Sequence, residues 1–462
     1  MIKTLKNAWG IIDLRKKILF TLLIIVLYRL GASIPVPFVD SDQFGMTEYF
    51  RGTILQYLDT ISGNALGQAT LFALGVSPYI TASIVVQLLT VAIPALERWS
   101  KEGDEGKKKI NVLTRIITVA LALVTSIGYV SILNAQGLVK YAVDEAGQPT
   151  DKFFQNMIIV ICYCAGAAMV MWLAEKINES GIGNGISIIL FANIIAGIYP
   201  TLSVMWNLMF PTTAAGSKFD WLGMVVVLGF LVLLLGLILM IVWMSDAERR
   251  IPIQYAKRVV GRKMYGGQNT NLPLKVNMTG VMPIIFANSI VTIPATIATF
   301  AGKPDGKFST WINTWFGPTS WIYLALFIVL LVAFAYFYVL ISFNPVEVAN
   351  NIKNNGGAIP GIRSGRPTIE FVKKVLYRIT LVGALLVVFI ACFPMIVNNI
   401  CSMQFVQNAL IAHGRTVTYY TSIFSTLAFG GSSLMILVGV ALETVRELEA
   451  QMSLRNYKGF LD

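Results

Sequence analysis

Ten apolar stretches divide this 462-residue chain, each near the roughly 20 residues a helix needs to cross a bilayer core. They run Ile18–Pro37, Leu71–Ile93, Ile116–Asn134, Phe154–Ala174, Gly185–Val204, Trp221–Met244, Val276–Phe300, Trp321–Phe343, Ile379–Val397 and Leu427–Thr444. The sixth and eighth carry no charge at all, whereas Gly, Ser, Thr and Gln interrupt the second, fifth and tenth. Only 13% of the residues are charged and 56% are hydrophobic, with a mean hydropathy of +0.69. A soluble protein carries about 25% charged residues. This chain lacks the charge to clothe a soluble body, and a disordered chain is excluded outright. A polytopic membrane protein remains.

The positive charges set its orientation. Numbering the loops in order, 28 of the 36 Lys and Arg fall on one side and 7 on the other, and Arg29 lies inside the first stretch. Basic loops stay in the cytoplasm. Strict alternation therefore predicts ten spans with both termini cytoplasmic. Met1–Lys17 followed by the first stretch resembles a signal peptide. The apolar run exceeds a typical one and lacks a small-residue cleavage site, so an uncleaved first helix is expected. Ten spans divide as five and five, and an odd number per half inverts the second half relative to the first. The expected organisation is a cytoplasmic segment 1–17, halves 18–204 and 205–444, and a cytoplasmic tail 445–462.

The chemistry of catalysis has little support. Cys162, Cys164, Cys392 and Cys401 form no CxxC pair, and His413 is the single histidine. Neither HExxH nor a Walker A sequence occurs. No metal or cofactor is expected. An ion-coupled transporter would place carboxylates or other charges in the interiors of its spans, and these interiors are nearly charge-free, Arg29 being the exception. An intramembrane enzyme would need a dyad or metal cluster within a span.

Three regions do not suit a plain bundle. Tyr57–Ala69 is only mildly apolar, and it reads as a surface loop or as a short helix folded back into a protein-lined cavity. The loops about 245–275 and 344–378 hold thirteen basic residues. In the first, Ile251, Ile253 and Tyr255 alternate before Gly261 and Gly266-Gly267, which predicts a two-stranded projection. Such loops orient the protein, bind anionic lipid, or present a docking surface for phosphates or an acidic protein face. GIGNGI, Gly181–Ile186, has the glycines of a phosphate loop but no preceding strand. Ile80 and Ile84 share one helix face, as do Ile186 and Leu190, and core packing is the ordinary meaning of such pairs. Ser83, Gln87, Asn288 and Ser289 suggest a polar contact between spans two and seven.

LGVSPYITASIVVQLLT (Leu74–Thr90) and SGIGNGISIILFANI (Ser180–Ile194) resemble two signatures of the SecY family. Tyr255–Ala287 and Asn344–Thr368 are similar to its cytoplasmic loops, and the likeness runs in order to NYKGF, Asn456–Phe460. The resemblance implies an all-α membrane protein of ten helices, a clamshell of two inverted five-helix halves around an hourglass pore. It implies a ring of bulky apolar side chains at Ile80, Ile84, Ile186, Leu190, Ile285 and Ile436. Leu190 stands where isoleucine is common, a near-isovolume exchange. A plug helix would fall on Leu58, Asp59, Thr60, Ile61, Ser62, Gly63, Asn64, Ala65 and Leu66, which replaces the surface-loop reading of that segment.

The same resemblance implies a lateral gate between spans two and three and spans seven and eight, with Ser83, Gln87, Asn288 and Ser289 as its polar residues. Arg258, Arg262, Lys263, Arg363 and Arg366 would dock a ribosome or the SecA motor, with Arg363 in the PGIR turn foremost. Expected partners are SecE and SecG, SecA, the ribosome, secretory and membrane-protein substrates, and anionic phospholipid. The expected location is the bacterial cytoplasmic membrane, and the expected function is a passive protein-conducting channel with no catalytic site. The outer segment Asn398–Phe429 is longer and more polar than the family pattern, and the sequence gives it no role.

Overall fold

In hydrocarbon, backbone N–H and C=O groups need partners within the protein, so a chain this apolar is driven into helices. The computed structural model describes residues 2–39, 54–141, 152–210, 212–213, 216–217, 221–255, 258–260, 263–265, 269–301, 311, 315, 317, 320–401 and 417–458. In chain order, the first helices are α1 (Ile2–Gly10), α2 (Ile12–Gly31), α3 (Ile54–Ser62), α4 (Ser77–Ala92), α5 (Pro94–Lys101), α6 (Asp104–Ala135), α7 (Lys152–Ser180), α8 (Gly185–Ala196) and α9 (Ile198–Met209). A short hairpin β1 (Thr212–Thr213) and β2 (Gly216–Ser217) precedes α10 (Trp221–Asp246). Strands β3 (Glu248–Tyr255), β4 (Arg258–Val260), β5 (Lys263–Tyr265) and β6 (Asn269–Lys275) lead into α11 (Met282–Ala301). Then come α12 (Trp321–Ser342), α13 (Pro345–Asn354), β7 (Gly357–Ala358), α14 (Arg366–Cys401) and α15 (Val417–Lys458).

Each of the ten apolar stretches coincides with one of these helices, the fifth with the pair α8 and α9. Among the described residues, six helices are long and apolar enough to cross a membrane, and a bent pair, α4 with α5, makes a seventh if counted as one span. Their exposure is that of a lipid-facing protein. Only 17% of the most apolar window of α10 is buried, against 56% for α14. Val232, Leu239 and Trp243 on α10 are exposed, a patch that would aggregate in water and that lipid satisfies.

Helix ends differ from the expected limits for local reasons. The second span starts at Ser77 rather than Leu71, because Gly75 adopts φ +53° and Pro78 sits in the first turn. It stops at Ala92, since Ile93 precedes Pro94 and is extended, and the chain turns 102° into α5. The fifth span breaks at Gly197, and α9 continues past the expected half boundary at 204 to Met209. Helix α14 begins inside the loop expected at 344–378, and α15 carries helix through most of the tail expected at 445–462.

The two long loops are one structure. Strands β3 and β6 pair antiparallel from Glu248↔Lys275 to Gln254↔Asn269. A third strand, β7 from the second loop, pairs with β3 through Gln254↔Ala358 and Tyr255↔Gly357. The two-stranded expectation is thus one strand short. Ile251 and Ile253 are buried as their alternation predicted, and Ile251, Leu274, Ile359, Val372 and Ile379 pack into a small core that fixes the sheet on α14.

Candidate pore and plug site

The glycine-rich turn before α8 is a helix-to-helix connection. Gly183 takes φ +73°, and the Asn184 carboxamide accepts the Ile186 and Ser187 amides at 3.0 and 3.4 Å, capping the new helix. The Gly185 amide donates to Asn178 Oδ1 at 2.7 Å, and a Cβ on Gly185 would collide with the Ala174 backbone. The turn therefore sets α8 tightly on α7 and fixes where Ile186 and Leu190 point. On α15, a Cβ at Gly439 would collide with Val281, so glycine lets this helix approach the start of α11 and brings Ile436 toward Ile285.

Ile80 on α4, Leu190 on α8, Ile285 on α11 and Ile436 on α15 line one cavity of about 40 Å³, with Leu58 and Ile61 of α3 closing it. That volume holds about one to three waters. Ile84 and Ile186 belong to the same apolar cluster but do not line the cavity. Three hydroxyls on its wall turn back onto their own helices. Thr81 donates to the Ser77 carbonyl at 3.1 Å, Ser289 to Ile285 at 2.8 Å, and Thr292 to Ser289 at 2.9 Å. Spent on the backbone, these three groups add little polarity to the wall, and Ser77 is its remaining hydroxyl.

A second cavity, about 520 Å³, is lined by Asn184, Val281, Met282, Met435, Gly439 and Glu443 among others. Along α8, this cavity takes residue 184 and the small one residue 190; along α11, it takes 281–282 and the small one 285–292. The larger cavity thus lies further toward the N-terminal ends of α8 and α11 than the small one. Arg446 at the larger one donates to Asp246 Oδ1 at 2.7 Å and to the Ser245 carbonyl at 2.9 Å, tying α15 to the end of α10.

The segment 58–66 is no surface loop, since Asp59, Ile61, Ser62, Ala65 and Leu66 are all buried. Helix α3 ends where Gly63 and Asn64 turn left-handed, at φ +70° and +67°. Asp59 organises the turn: Oδ1 accepts the Gly67 amide at 2.7 Å, and its carbonyl accepts the Asn64 amide and the Ser62 hydroxyl, both at 2.9 Å. Ser62 Oγ accepts the Leu66 amide at 3.1 Å, and Thr60 donates to the Gln56 carbonyl at 2.8 Å. Neighbouring helices hold the segment's backbone. Tyr129 of α6 donates to the Leu66 carbonyl, Tyr163 of α7 to Ala69 at 3.4 Å, and Asn193 of α8 to Ile61 at 2.8 Å. Sequence reasoning missed Asn193 and Tyr28. Arg29, a charge in the interior of a span, was the available signal.

The four polar residues assigned to a lateral gate are dispersed. Ser289 lines the small cavity, whereas Gln87 lines a separate one of about 490 Å³ among α4, α5 and α12. Ser83 is half-buried, and Asn288 is buried with neither amide atom hydrogen-bonded among the described residues. Helix α11 nevertheless packs on α4 and α6, the contact at which such a gate would part. Of the docking residues, Arg363 and Arg366 are exposed, and Arg366 pairs with Glu370 at 3.4 Å. Arg258 and Lys263 lie at opposite ends of the β4–β5 hairpin, paired with Tyr265 and Val260. Cys401 ends α14, whereas Arg262, His413 and Arg415 lie outside the described residues.

A family model described as SecY matches residues 70–445. A protein translocase subunit SecY from Streptomyces galbus is 43% identical over the full length of both chains. Among solved structures, a SecY channel whose plug domain stabilises the closed state and maintains a membrane seal aligns with a TM-score of 0.59 at 17% identity, covering 95% of this chain and 92% of that one. Sec61 in a canine ribosome–channel complex aligns with a TM-score of 0.57 at 16% identity, with coverage of 95% and 92%. The structures carry the fold and the full-length relative carries the family. The chain belongs to the SecY family of multi-pass membrane proteins, the protein-conducting channel subunits of translocases, and is not an enzyme.

Proposed function

We propose that Ile80, Ile84, Ile186, Leu190, Ile285 and Ile436 form the gasket of the pore and that residues 58–66 form its plug. One observation carries this reading: side chains from four separate helices meet Leu58 and Ile61 around a cavity of about 40 Å³. An apolar constriction that narrow resists wetting, so ions stay out. It has no directional contacts, so it can close around a polypeptide of any sequence. A secretory chain would enter through the 520 Å³ vestibule, displace the plug and leave on the far side. An apolar segment would instead pass sideways between α4 and α11, because transfer to lipid favours it. Asn288 on α11, buried with neither amide atom hydrogen-bonded among the described residues, would find partners once peptide or water entered the seam.

The three-stranded platform supports docking of SecA or a ribosome through Arg258, Arg262, Lys263, Arg363 and Arg366. Its small core holds two basic loops as a single surface, which orientation alone would not require. SecE and SecG would cover lipid-facing helices, and anionic phospholipid would neutralise the remaining basic residues. The 28-to-7 division of Lys and Arg supports a bacterial cytoplasmic membrane with both termini inside. Energy must come from the motor or the translating ribosome.

Photo-crosslinking from positions 80 and 436 to a stalled secretory chain tests the pore. Both positions are expected to react with the translocating segment. An engaged chain that reacts with neither would overturn the assignment.

A further inference from the structure

A charge inside a span is costly and is retained where it has a partner and a task. Arg29 lies two residues from the end of α2, and its Nη1 donates to Asn193 Oδ1 at 3.4 Å. Asn193 is fully buried, and its Nδ2 donates twice, to the Tyr28 hydroxyl and to the Ile61 carbonyl, each at 2.8 Å. One carboxamide thus joins α2, α8 and the plug helix α3. Ile61 is one residue from the C-terminal end of α3, where carbonyls lack helical partners. Asn193 supplies the missing donor, and the Arg29 guanidinium lies at the negative end of that helix. The fit is close. A Cβ on Gly63 would lie 2.8 Å from Arg29 Nη1, 3.0 Å from Asn193 Oδ1 and 3.1 Å from Asn193 Cα.

We propose that Asn193 is the positioning residue that latches the plug in the closed channel, oriented by Tyr28 and Arg29. The inference rests on the reading of residues 58–66 as the plug. The latch is one-sided. When the plug leaves, the Ile61 bond breaks, while Asn193 keeps Tyr28 and Arg29. The seat therefore survives opening intact and can receive the plug again. Ile61 itself serves both faces, its side chain sealing the ring cavity and its carbonyl held by the latch.

The test uses the full-length chain, co-purified with its native partner subunits and reconstituted in vesicles of defined lipid. Resting ion conductance, export of a substrate with a defective signal sequence, and the Tm of the purified complex are measured together. Asn193→Asp keeps the acceptor for Arg29 but cannot donate to Ile61. It is expected to raise resting conductance and defective-signal export about five- to tenfold, with Tm unchanged. Tyr28→Phe, which only loosens the orientation, is expected to give about twofold. Deletion of residues 57–69 is the reference for a missing plug. If the deletion leaks and Asn193→Asp does not, the latch is overturned and the plug stands. If the deletion does not leak, the plug reading falls and the latch with it. A merely structural Asn193 would lower Tm without a selective rise in conductance, which also overturns the proposal.

Discussion

The segment from 58 to 69, which contains the proposed plug, is gripped differently on its two faces. Toward the small cavity, Leu58 and Ile61 face the apolar side chains of Ile80, Leu190, Ile285 and Ile436. Toward α6, α7 and α8, the carbonyls of Leu66, Ala69 and Ile61 accept hydrogen bonds from Tyr129, Tyr163 and Asn193. The first face is non-directional, because burial energy scales with area and tolerates rearrangement. The second is directional and defines one seated position. A channel needs both: a seal that any polypeptide can replace, and a seat that only the plug's own backbone fits.

The strongest way to break this contrast is to make the apolar face polar. Burying an isoleucine side chain is worth about 1.5–3 kcal/mol, and a polar group there invites water into the constriction. The double substitution Ile80→Asn with Ile436→Asn is expected to raise resting ion conductance about 10- to 100-fold in planar bilayers. Unchanged conductance would mean that the seal lies elsewhere. The directional face is attacked next by Gly63→Val. This position has φ +70° and no room for a Cβ between Arg29 and Asn193. A β-branched residue there costs on the order of 1–3 kcal/mol. The plug should leave its seat, and a cysteine placed by Leu58→Cys should react with a soluble maleimide about tenfold faster.

The two faces were not equally legible in the sequence. Ile80 and Ile84, or Ile186 and Leu190, announce a shared face by their spacing, and each apolar stretch coincides with helix. Apolar surfaces repeat along a helix, so periodicity can find them. The seat has no period. Asn193 is one of several polar residues scattered through span five, and its partners Tyr28 and Ile61 lie 165 and 132 residues away in the chain. Only Arg29 stood out, because an intramembrane charge demands an explanation. Ser289, expected at a lateral seam, bonds its own helix and lines the small cavity beside Ile285. Likewise β7 is two residues long, too short to carry an alternation, so the sheet that unites the two basic loops was legible only as a hairpin.

The smallest effects sharpen the contrast by grading the directional bonds against one another. Tyr129 and Tyr163 are both fully buried, and their rings meet edge-on with centroids 5.2 Å apart. Each phenol donates to a carbonyl in the segment that follows α3, Tyr129 to Leu66 and Tyr163 to Ala69. Removing either hydroxyl leaves the ring packing in place and orphans one buried carbonyl, a loss of about 1–3 kcal/mol for a good bond. The Tyr163 bond is long, at 3.4 Å, and Ala69 lies beyond the plug helix near the start of span two. Tyr129→Phe is therefore expected to speed maleimide labelling at Leu58→Cys about threefold, and Tyr163→Phe by less than twofold. Equal effects would show that the seat acts through packing of the two rings and not through directed bonds, and the distinction between the plug's two faces would be lost.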